Sequence, residues 1–310
     1  MKLLVTGGSG LVGSAIKKIH KKFKYDFIFL SSKDCDLSNY EETKLLFEKH
    51  KPDYVIHLAS SVGGLFKNLK SNVQMLEKNM MINFNVVKCC HDYKVKKLIS
   101  CLSTCVFPDK TKYPINENML HNGSPHNSNF GYAYSKRILD IHSKSYREQY
   151  NDNFFSIIPT NIYGENDNFS LEDGHVIPAL IHKCYLAKKN NEDFIIRGSG
   201  KALRQFIYSI DLAELIMWTL QYYNESENII LSVNETDEVS IEHVARSIAK
   251  NFNYDHKLKF DINYSDGQFK KTADNSKLIN LIKKFNFTSI DEGIKKTIDW
   301  FVNNYENCRK

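Results

Sequence analysis

A glycine-rich segment near the start of the chain constrains the fold more than any other part of the sequence. Residues 5–13 read Val-Thr-Gly-Gly-Ser-Gly-Leu-Val-Gly and lie between an apolar run and a stretch with helical periodicity. Glycines between a strand and a helix let backbone N–H groups approach a pyrophosphate, and the N-terminus of the helix favours the negative charge. The segment therefore predicts a dinucleotide-binding turn, with contacts expected from Gly7, Gly8, Ser9, Gly10, Leu11, Val12 and Gly13.

Short apolar runs alternate with helical patterns over the first 160 residues. The runs that predict strands are Leu3–Thr6, Phe27–Leu30, Tyr54–Leu58, Lys97–Leu102 and Phe155–Ile158. Helices are predicted at Leu11–Lys22, at Asn72–Tyr93, and after Ser38–Glu41, which has the capping-box pattern of a helix that ends near His50. This alternation is typical of βαβ units, so we expect an α/β fold with a Rossmann-type, doubly wound parallel sheet.

The pattern changes beyond about residue 165. Helices are predicted at 175–189, 211–223, 241–252 and 290–303, the last after a second capping box at Ser289–Glu292, and short strands at 194–196, 229–233 and 258–261. We expect a nucleotide-binding domain at residues 1–164, with 205–224 packing back on it. A smaller α/β C-terminal substrate lobe is expected from 165–204 and 225–310.

The composition restricts the partners and the cellular compartment. The 310 residues are 42% hydrophobic and 25% charged, as in ordinary globular proteins. A net charge of +6, spread over scattered lysines, is too small to indicate nucleic acid but suits small anionic ligands. The seven cysteines show no disulfide or zinc pattern, and no apolar run resembles a secretion signal or a membrane span. We therefore expect a cytoplasmic protein with no metal and no membrane or nucleic-acid partner.

The end of the second predicted strand indicates which dinucleotide is bound. Proteins that prefer NAD place an acidic residue there, where it accepts a hydrogen bond from the ribose 2′-hydroxyl. This chain has Ser31, Ser32 and Lys33, two hydroxyls and a lysine that suit a 2′-phosphate, although Lys33 also fits a solvated loop charge. We therefore expect NADP(H), and we expect Asp36 to accept from the adenine amino group.

Tyr132 and Lys136 form a Tyr-x-x-x-Lys pattern between the fourth and fifth predicted strands. On a helix they would share one face, and a lysine ammonium beside a phenol lowers the phenol pKa from its usual value of about 10. Such a tyrosine can give a proton to a carbonyl oxygen while a hydride arrives from nicotinamide. Ser103 follows the fourth strand and can hydrogen-bond the same oxygen, whereas Tyr134 is only two residues from Lys136 and faces elsewhere.

Further motifs narrow the prediction. They are His57-Leu-Ala with Val62-Gly-Gly64, Ser103–Pro108, Pro125–Tyr132, Pro159–Gly164, Asp167–Phe169, His175–Leu180, Arg204–Asp211 and Asp266–Lys271. With these motifs the chain, from residue 2 to its end, resembles the GDP-L-fucose synthase family of extended short-chain dehydrogenases. The resemblance implies an enzyme that epimerises GDP-4-dehydro-6-deoxy-D-mannose at C3 and C5 and reduces C4 with NADPH. It also implies a homodimer that forms through the helices near 72–93 and 130–150.

The resemblance further implies how the site residues divide their work. Ser103, Tyr132 and Lys136 carry the reduction, and Cys105 and His175 carry the epimerisation. Ser103 and Cys105 are two residues apart, so a continued strand would point both side chains the same way. Outside this context Cys105 fits a small buried hydrophobic residue, and His175 fits a structural or helix-capping residue.

The expected binding residues complete the prediction. For the cofactor they include Leu58, Ala59, Leu102, Pro159, Asn161, Ile162 and His175, together with Tyr132 and Lys136. For the GDP-sugar they are Ser103, Thr104, Cys105, Asn161, Lys183, Arg197, Arg204, Asp266 and Lys271. Arg197 stands where the family often has tryptophan, and Arg204 is expected to contact a phosphate.

Two other functions are compatible with the sequence. A sugar-nucleotide epimerase or dehydratase of the same fold would keep tightly bound NAD⁺ and return the hydride, whereas the expected enzyme consumes NADPH. A non-catalytic cofactor-binding scaffold would not need Ser103, Tyr132 and Lys136 together, and this chain has all three.

Overall fold

The structure is a computed structural model that describes residues 1–63, 70–264, 266 and 268–310. Gly64 and Gly267, which belong to two of the family motifs, lie outside the described residues. The strands are β1 (Lys2–Thr6), β2 (Asp26–Phe29), β3 (Tyr54–His57), β4 (Lys97–Cys101), β5 (Phe154–Pro159), β6 (Asn161–Tyr163), β7 (Phe194–Arg197), β8 (Leu203–Arg204), β9 (Phe206–Tyr208), β10 (Ile229–Leu231), β11 (Val239–Ser240) and β12 (Leu258–Asp261). The central sheet has the order β10-β5-β4-β3-β1-β2, and each neighbouring pair in it is parallel. The predicted Rossmann-type α/β fold is therefore confirmed.

The helices begin and end close to where the sequence predicts. They are α1 (Leu11–Ile19), α2 (Tyr40–His50), α3 (Asn72–Asp92), α4 (Phe130–Tyr150), α5 (Val176–Asn190), α6 (Ser209–Tyr222), α7 (Ile241–Asn251), α8 (Ser276–Ile282) and α9 (Ile290–Asn303). Within the described ranges, no helix combines the length and the apolar character that crossing a membrane would require.

The two predicted capping boxes have different outcomes. The Ser289 hydroxyl accepts from the Glu292 N–H at 3.3 Å, so Ser289 is confirmed as the N-cap of α9. The box at Ser38 is wrong by one residue, because Asn39 is the N-cap of α2 and accepts from the N–H groups of its first turn. Ser38 instead donates its hydroxyl to Asp36 Oδ1 at 2.7 Å, which leaves Asn39 to cap the helix.

Helices cover both faces of the central sheet, which explains why its strands are nearly continuous apolar runs. On one face α1 and α6 pack together through buried side chains such as Ile16, Leu212 and Ile216. On the other face α3 and α4 contribute Val86 and Leu139 to a second core. The carboxyl ends of the strands form one edge of the sheet, and the glycine-rich turn lies at that edge.

A third core lies in the C-terminal part of the chain. It is formed by α5, α7 and α9 around the parallel pair of β7 and β12, with Ile181, Val244 and Phe301 fully buried. This core corresponds to the smaller α/β lobe that the sequence predicts.

Strand β10 belongs to the central sheet, although the sequence placed residues 229–233 in the substrate lobe. Residues 229–231 pair in parallel with residues 157–159 of β5. Leu278 of α8 packs in the same core as the sheet residue Leu3. The assignment was wrong because a three-residue apolar run carries no information about the strand with which it pairs. The chain therefore returns to the sheet after it has begun the second lobe.

Candidate active site

The glycine-rich turn has the geometry that a pyrophosphate requires. Gly7 has a φ of +69°, and a Cβ there would lie 2.9 Å from the Ala59 nitrogen. The turn is closed by the Gly10 N–H, which donates to the Gly7 carbonyl at 3.0 Å. Gly10 is also the N-cap of α1, whose first turn has neither a side-chain cap nor an acidic residue. Backbone N–H groups at this helix start therefore remain available to an anion, and the residues fit a dinucleotide.

Gly13 is the tightest position of the turn. A Cβ there would lie 2.4 Å from the Gly7 carbonyl oxygen and 2.6 Å from the Gly8 Cα, both backbone atoms. We expect Gly13→Ala to lower the free energy of unfolding by about 1–3 kcal/mol through overpacking, and to weaken NADPH binding because the turn must shift. Gly123→Ala is the control, since its Cβ would meet the Pro108 side chain at an ordinary 3.4 Å. Urea unfolding that shows equal stability for both variants would contradict this account of Gly13.

A cavity of about 700 Å³ lies beside the turn, at the end of β2. It is lined by Gly8, Ser9, Ser14, Lys17, Lys18, Phe29, Ser31, Asp34 and Asn166. Of the residues expected to contact a 2′-phosphate, Ser31 lines the cavity, whereas Ser32 and Lys33 are exposed and do not. Lys17, Lys18 and Asp34 are residues that the sequence reasoning missed. The helical spacing of Lys17 from the glycines could have indicated its position, because it lies on the face of α1 toward β2.

The strand ends next to the turn are held by a buried hydrogen-bond network. Leu58 and Ala59 donate their N–H groups to the Thr6 hydroxyl at 3.1 and 3.2 Å. The Thr6 hydroxyl lies 2.8 Å from His57 Nδ1, and His57 Nε2 lies 3.0 Å from the Asn83 amide oxygen. Burial lowers the pKa of His57 to about 3, so the imidazole is neutral and accepts at Nδ1 while it donates at Nε2. The network fixes the edge on which the cofactor residues lie.

Other expected cofactor residues also lie at the carboxyl edge. Leu102 follows β4, Pro159 ends β5, and Asn161 and Ile162 begin β6. The Asn161 side chain donates to the Gln205 carbonyl at 2.8 Å, so its amide nitrogen already has a protein partner. Their placement agrees with the rule that ligands of open α/β sheets bind outside the carboxyl ends of the strands.

Tyr132 and Lys136 lie on the first turns of α4, and Ser103 lies just beyond β4. The Lys136 ammonium is 5.9 Å from the centre of the Tyr132 ring and donates to the Cys101 carbonyl at 2.7 Å. Lys136 is almost fully buried. The structure therefore brings the expected tyrosine, lysine and serine to one edge of the sheet, with the ammonium directed at the end of β4.

The expected lowering of the Tyr132 pKa is wrong. Removal of the phenol from water raises its pKa well above the usual value, and the nearby Cys105 and Cys101 add to the rise. A hydrogen bond with Ser60 opposes it. Lys136 is not among the causes of the shift in the phenol pKa, and its ammonium donates to the Cys101 carbonyl. Tyr132 is thus a neutral phenol at neutral pH, the form in which it can donate a proton.

Ser60 and Asn79 are a further pair that the sequence reasoning missed. The Ser60 hydroxyl donates to the Asn79 amide oxygen at 3.0 Å, and the Ser61 N–H donates to the same oxygen at 2.7 Å. Asn79 in turn donates to the Ser61 carbonyl at 2.9 Å and is fully buried on α3. The pair places the Ser60 oxygen against Tyr132. A buried asparagine in the middle of a predicted helix was the available signal, because such a side chain needs partners.

Cys105 lies next to Ser103, but the backbone between them is not the continued strand that was expected. Strand β4 ends at Cys101, and residues 104–106 form a short 3₁₀ turn with Thr104 buried. Ser103 is the N-cap of this turn, and its hydroxyl oxygen accepts from the Cys105 N–H at 3.4 Å. A helical turn, not a continued strand, therefore holds the serine and the thiol together.

The thiol of Cys105 lies in a second, smaller cavity with Lys271. Burial raises the pKa of the thiol, while Lys271, Ser103 and Lys136 act in the opposite direction. Burial also lowers the pKa of Lys271, whose ammonium is stabilised by the thiolate form of Cys105. The cavity wall includes Asp109, Tyr113 and His126. Cys105 and Lys271, which the sequence assigned to one site, are therefore brought together.

His175 is the N-cap residue of α5 and is exposed. Its imidazole makes no side-chain capping hydrogen bond. Nothing in the described structure shows a contact between His175 and Cys105. His175 is thus placed at the start of a helix in the second lobe.

Four charged residues expected to bind substrate divide into two kinds. Lys183 on α5 and Arg197 at the end of β7 are close enough that Arg197 helps to lower the Lys183 pKa, after burial. Neither forms an ion pair with any residue that the structure describes. Arg204 instead donates to the Gln268 carbonyl at 2.7 Å, and Asp266 accepts from the Ser199 N–H at 2.6 Å. Arg204 and Asp266 therefore hold loops, a role that the sequence did not predict.

Comparison with known proteins agrees with this arrangement. The model of the NAD dependent epimerase/dehydratase family matches residues 3–233. A GDP-L-fucose synthase from Dictyostelium discoideum is 55% identical over 99% of this chain and 97% of its own length. A probable GDP-L-fucose synthase from Drosophila melanogaster is 45% identical over 100% of this chain and 99% of its own length.

A solved structure is also similar to this chain in sequence and in fold. A GDP-L-fucose synthetase from Naegleria fowleri, bound to NADP, is 49% identical and superposes with a TM-score of 0.95 over 99% of this chain and 94% of that one. This chain is therefore similar to these proteins over nearly its full length. The similar region includes the glycine-rich turn, the parallel sheet, and Ser103, Tyr132 and Lys136. The chain belongs to the NAD dependent epimerase/dehydratase family, and within it to the group of GDP-L-fucose synthases.

Proposed function

We propose that this protein converts GDP-4-dehydro-6-deoxy-D-mannose to GDP-L-fucose by 3,5-epimerisation and NADPH-dependent 4-reduction. The observation that carries the proposal is the meeting of Ser103, Cys105, Tyr132 and Lys136 at the carboxyl edge of the sheet, next to the glycine-rich turn. The full-length similarity to GDP-L-fucose synthases supports the choice of substrate.

Tyr132 donates the proton in the reduction. When bound, NADPH supplies the hydride to C4 of the sugar. The raised pKa of Tyr132 keeps the phenol protonated at neutral pH, and the developing C4 alkoxide is basic enough to take that proton. Ser103, whose oxygen accepts from the Cys105 N–H, lies just beyond β4 and is placed to hydrogen-bond the same oxygen. The buried Lys136 ammonium supplies positive charge on the same part of α4, 5.9 Å from the centre of the Tyr132 ring.

Cys105 and His175 carry the epimerisation. The protons at C3 and C5 are acidic because both carbons flank the C4 ketone. Cys105 lies beside Ser103, which binds the ketone oxygen, so its thiolate is placed to remove these protons. Lys271 stabilises the thiolate against the effect of burial. His175 returns a proton from the second lobe, where it heads α5.

The second lobe holds the GDP group. Lys183 and Arg197 are neighbouring cations without a carboxylate partner among the described residues, which suits the two charges of a pyrophosphate. Arg204 and Asp266 support this surface through their hydrogen bonds to Gln268 and Ser199. The proposal includes a nucleotide-binding domain and a substrate lobe, with β10 and α8 assigned to the first.

The experiment is a turnover assay with the purified protein, NADPH and GDP-4-dehydro-6-deoxy-D-mannose. Loss of NADPH absorbance, with GDP-L-fucose identified by NMR, supports the proposal. A sugar-nucleotide epimerase that returns its hydride would show no net loss of NADPH, and a non-catalytic scaffold would bind NADPH without turnover. Either result would overturn the proposed reaction.

The protein forms a homodimer through α3 and α4. Both helices expose large apolar side chains, with Met81 55%, Phe84 53% and Ile141 51% exposed. Phe84 also stacks on His142 of the neighbouring helix, with ring centres 4.9 Å apart. An exposed apolar surface on two adjacent helices favours burial against a second copy.

Phe84→Glu is expected to convert the dimer to a monomer at micromolar concentration, because it places a charge in the centre of this surface. Ile262→Glu is the control, since Ile262 is 77% exposed but lies far from both helices in the sequence, after β12. Light scattering after size-exclusion chromatography measures the mass. A Phe84→Glu variant that keeps the mass of the unmodified protein would contradict the assignment of this surface.

The state of the cysteines supports a reducing compartment. All seven are free thiols, including the half-buried Cys35, Cys105 and Cys308. Secreted proteins rarely keep so many unpaired cysteines, so we infer that the protein works in the cytoplasm.

A further inference from the structure

An acidic side chain accepts hydrogen bonds from the donors that line the cofactor cavity at the end of β2. Asp34 Oδ2 accepts from the Ser31 N–H at 2.7 Å and from the Ser31 hydroxyl at 2.6 Å. Both residues line the cavity that begins at Gly8 and Ser9 of the glycine-rich turn. The Ser31 N–H and O–H together can bind an anion, and in this structure they bind the Asp34 carboxylate.

A ribose 2′-phosphate bound at the end of β2 would use the same donors. Ser31 is the first residue after β2 and the expected partner of a 2′-phosphate. Its hydroxyl has one proton, and in this structure that proton is directed at Asp34. A phosphate that accepted from Ser31 would therefore have to displace the carboxylate, and the two anions would remain close together.

Two lysines also line the cavity, and they differ in whether their charge is compensated. Lys18 is paired with Glu165 at 2.8 Å, so its charge is already compensated. Lys17 forms no ion pair in the part of the chain that the structure describes, and its ammonium lies 5.9 Å from the centre of the Phe29 ring. Lys17 attracts a phosphate, whereas Asp34 repels it. Lys17 and Asp34 therefore bring two opposite charges to the lining of one cavity.

We propose that Asp34 is a specificity-determining residue that competes with the cofactor 2′-phosphate for the Ser31 donors and so reduces the preference for NADPH over NADH. The inference rests on the proposed use of NADPH at this site. A chain with this carboxylate still binds NADPH more tightly than NADH, but the ratio of the two affinities is smaller than its serines and lysines alone would give. Removal of the charge is expected to increase that ratio.

The test compares two probes that differ only in the 2′-phosphate, 2′,5′-ADP and 5′-AMP. Their dissociation constants are measured by calorimetry on the full chain and on Asp34→Asn, which keeps the shape and one acceptor but removes the charge. We expect 2′,5′-ADP to bind about fivefold more tightly to Asp34→Asn, an estimate for a screened carboxylate next to a phosphate, and 5′-AMP to be unchanged. Lys17→Met is expected to shift the same ratio in the opposite direction.

Asp274→Asn is the matched control. Asp274 Oδ1 accepts from the N–H of Ser276 at 2.8 Å and also from its hydroxyl, so the same local pattern is removed away from the cofactor cavity. The control should leave both dissociation constants unchanged. An Asp34→Asn variant with the wild-type ratio of the two affinities, or with weaker binding of 2′,5′-ADP, would show that Asp34 only shapes the loop. If the unmodified protein bound 5′-AMP more tightly than 2′,5′-ADP, the result would contradict the proposed use of NADPH. The Asp34 inference is tested separately, by the change in the ratio of the two dissociation constants between the unmodified protein and Asp34→Asn.

Discussion

Tyr132→Phe is expected to lower the rate of NADPH-dependent reduction about 1,000-fold, which corresponds to about 4 kcal/mol of transition-state stabilisation. The phenyl ring keeps the packing that the tyrosine ring makes near Lys136, 5.9 Å from its ammonium. The variant loses only the O–H that protonates the C4 oxygen. The dissociation constant of NADPH, measured by fluorescence, should barely change, so the loss appears in kcat.

Tyr134→Phe provides a matched control on the same helix turn. The Tyr134 ring packs against Phe130 and Arg137, and in the described structure its hydroxyl has no part in the Ser60 and Asn79 network. Its removal should leave kcat within about twofold of the unmodified enzyme. If Tyr132→Phe kept more than about a tenth of wild-type turnover, or if the two variants behaved alike, Tyr132 would not be the general acid.

Cys105→Ser is expected to abolish proton exchange at C3 and C5 while NADPH still binds. The substitution keeps the size of the side chain but replaces a thiol with a hydroxyl that is a far weaker acid. Because the Tyr132, Ser103 and Lys136 set is intact, slow reduction of the unepimerised ketone should give a GDP-6-deoxyhexose other than GDP-fucose. Deuterium at C3 and C5, measured by NMR after incubation in D₂O with and without NADPH, separates the two steps.

The raised pKa of the Cys105 thiol adds a pH dependence to this test. A base acts as the thiolate, and burial makes that form scarcer at neutral pH, so exchange by the unmodified enzyme should rise as the pH rises. Cys308→Ser is the control, since Cys308 lies near the C-terminus against the Tyr305 carbonyl. Normal deuterium incorporation by Cys105→Ser would leave Cys105 as a structural cysteine and require another base.

Much of the fold could be predicted because the signals are local. Apolar runs and helical periodicity placed the strands up to β5 and helices such as α9, and a capping box at Ser289 gave the start of that helix. Strand β10 was misplaced because its partner, β5, lies about 70 residues earlier in the chain, as the pairing of Ile229 with Ile157 shows. Pairing at such a distance depends on the packing of the whole domain and leaves no trace in three residues.

The candidate site could be predicted less completely. Motif positions named Ser103, Tyr132 and Lys136, and the structure places them at one edge. Two details were wrong, the strand geometry at Cys105 and the direction of the Tyr132 pKa, because both depend on turns and burial. Asp34 and Ser60 were missed because a hydrogen bond within one loop, or from a loop to a helix, has no periodicity that a sequence can display.

The position of β10 also determines how the protein can be made and divided. A fragment that ended at residue 164 would leave β5 as an open, apolar sheet edge, and it would lack Leu212 and Leu278, which cover one face of the sheet. Such edges template aggregation. A chain that is still being synthesised therefore cannot complete its nucleotide-binding half until α8, which ends at Ile282, has left the ribosome. Segments of the two halves alternate along the chain, so an exchange of substrate lobes between relatives would have to cut the chain at several points instead of one.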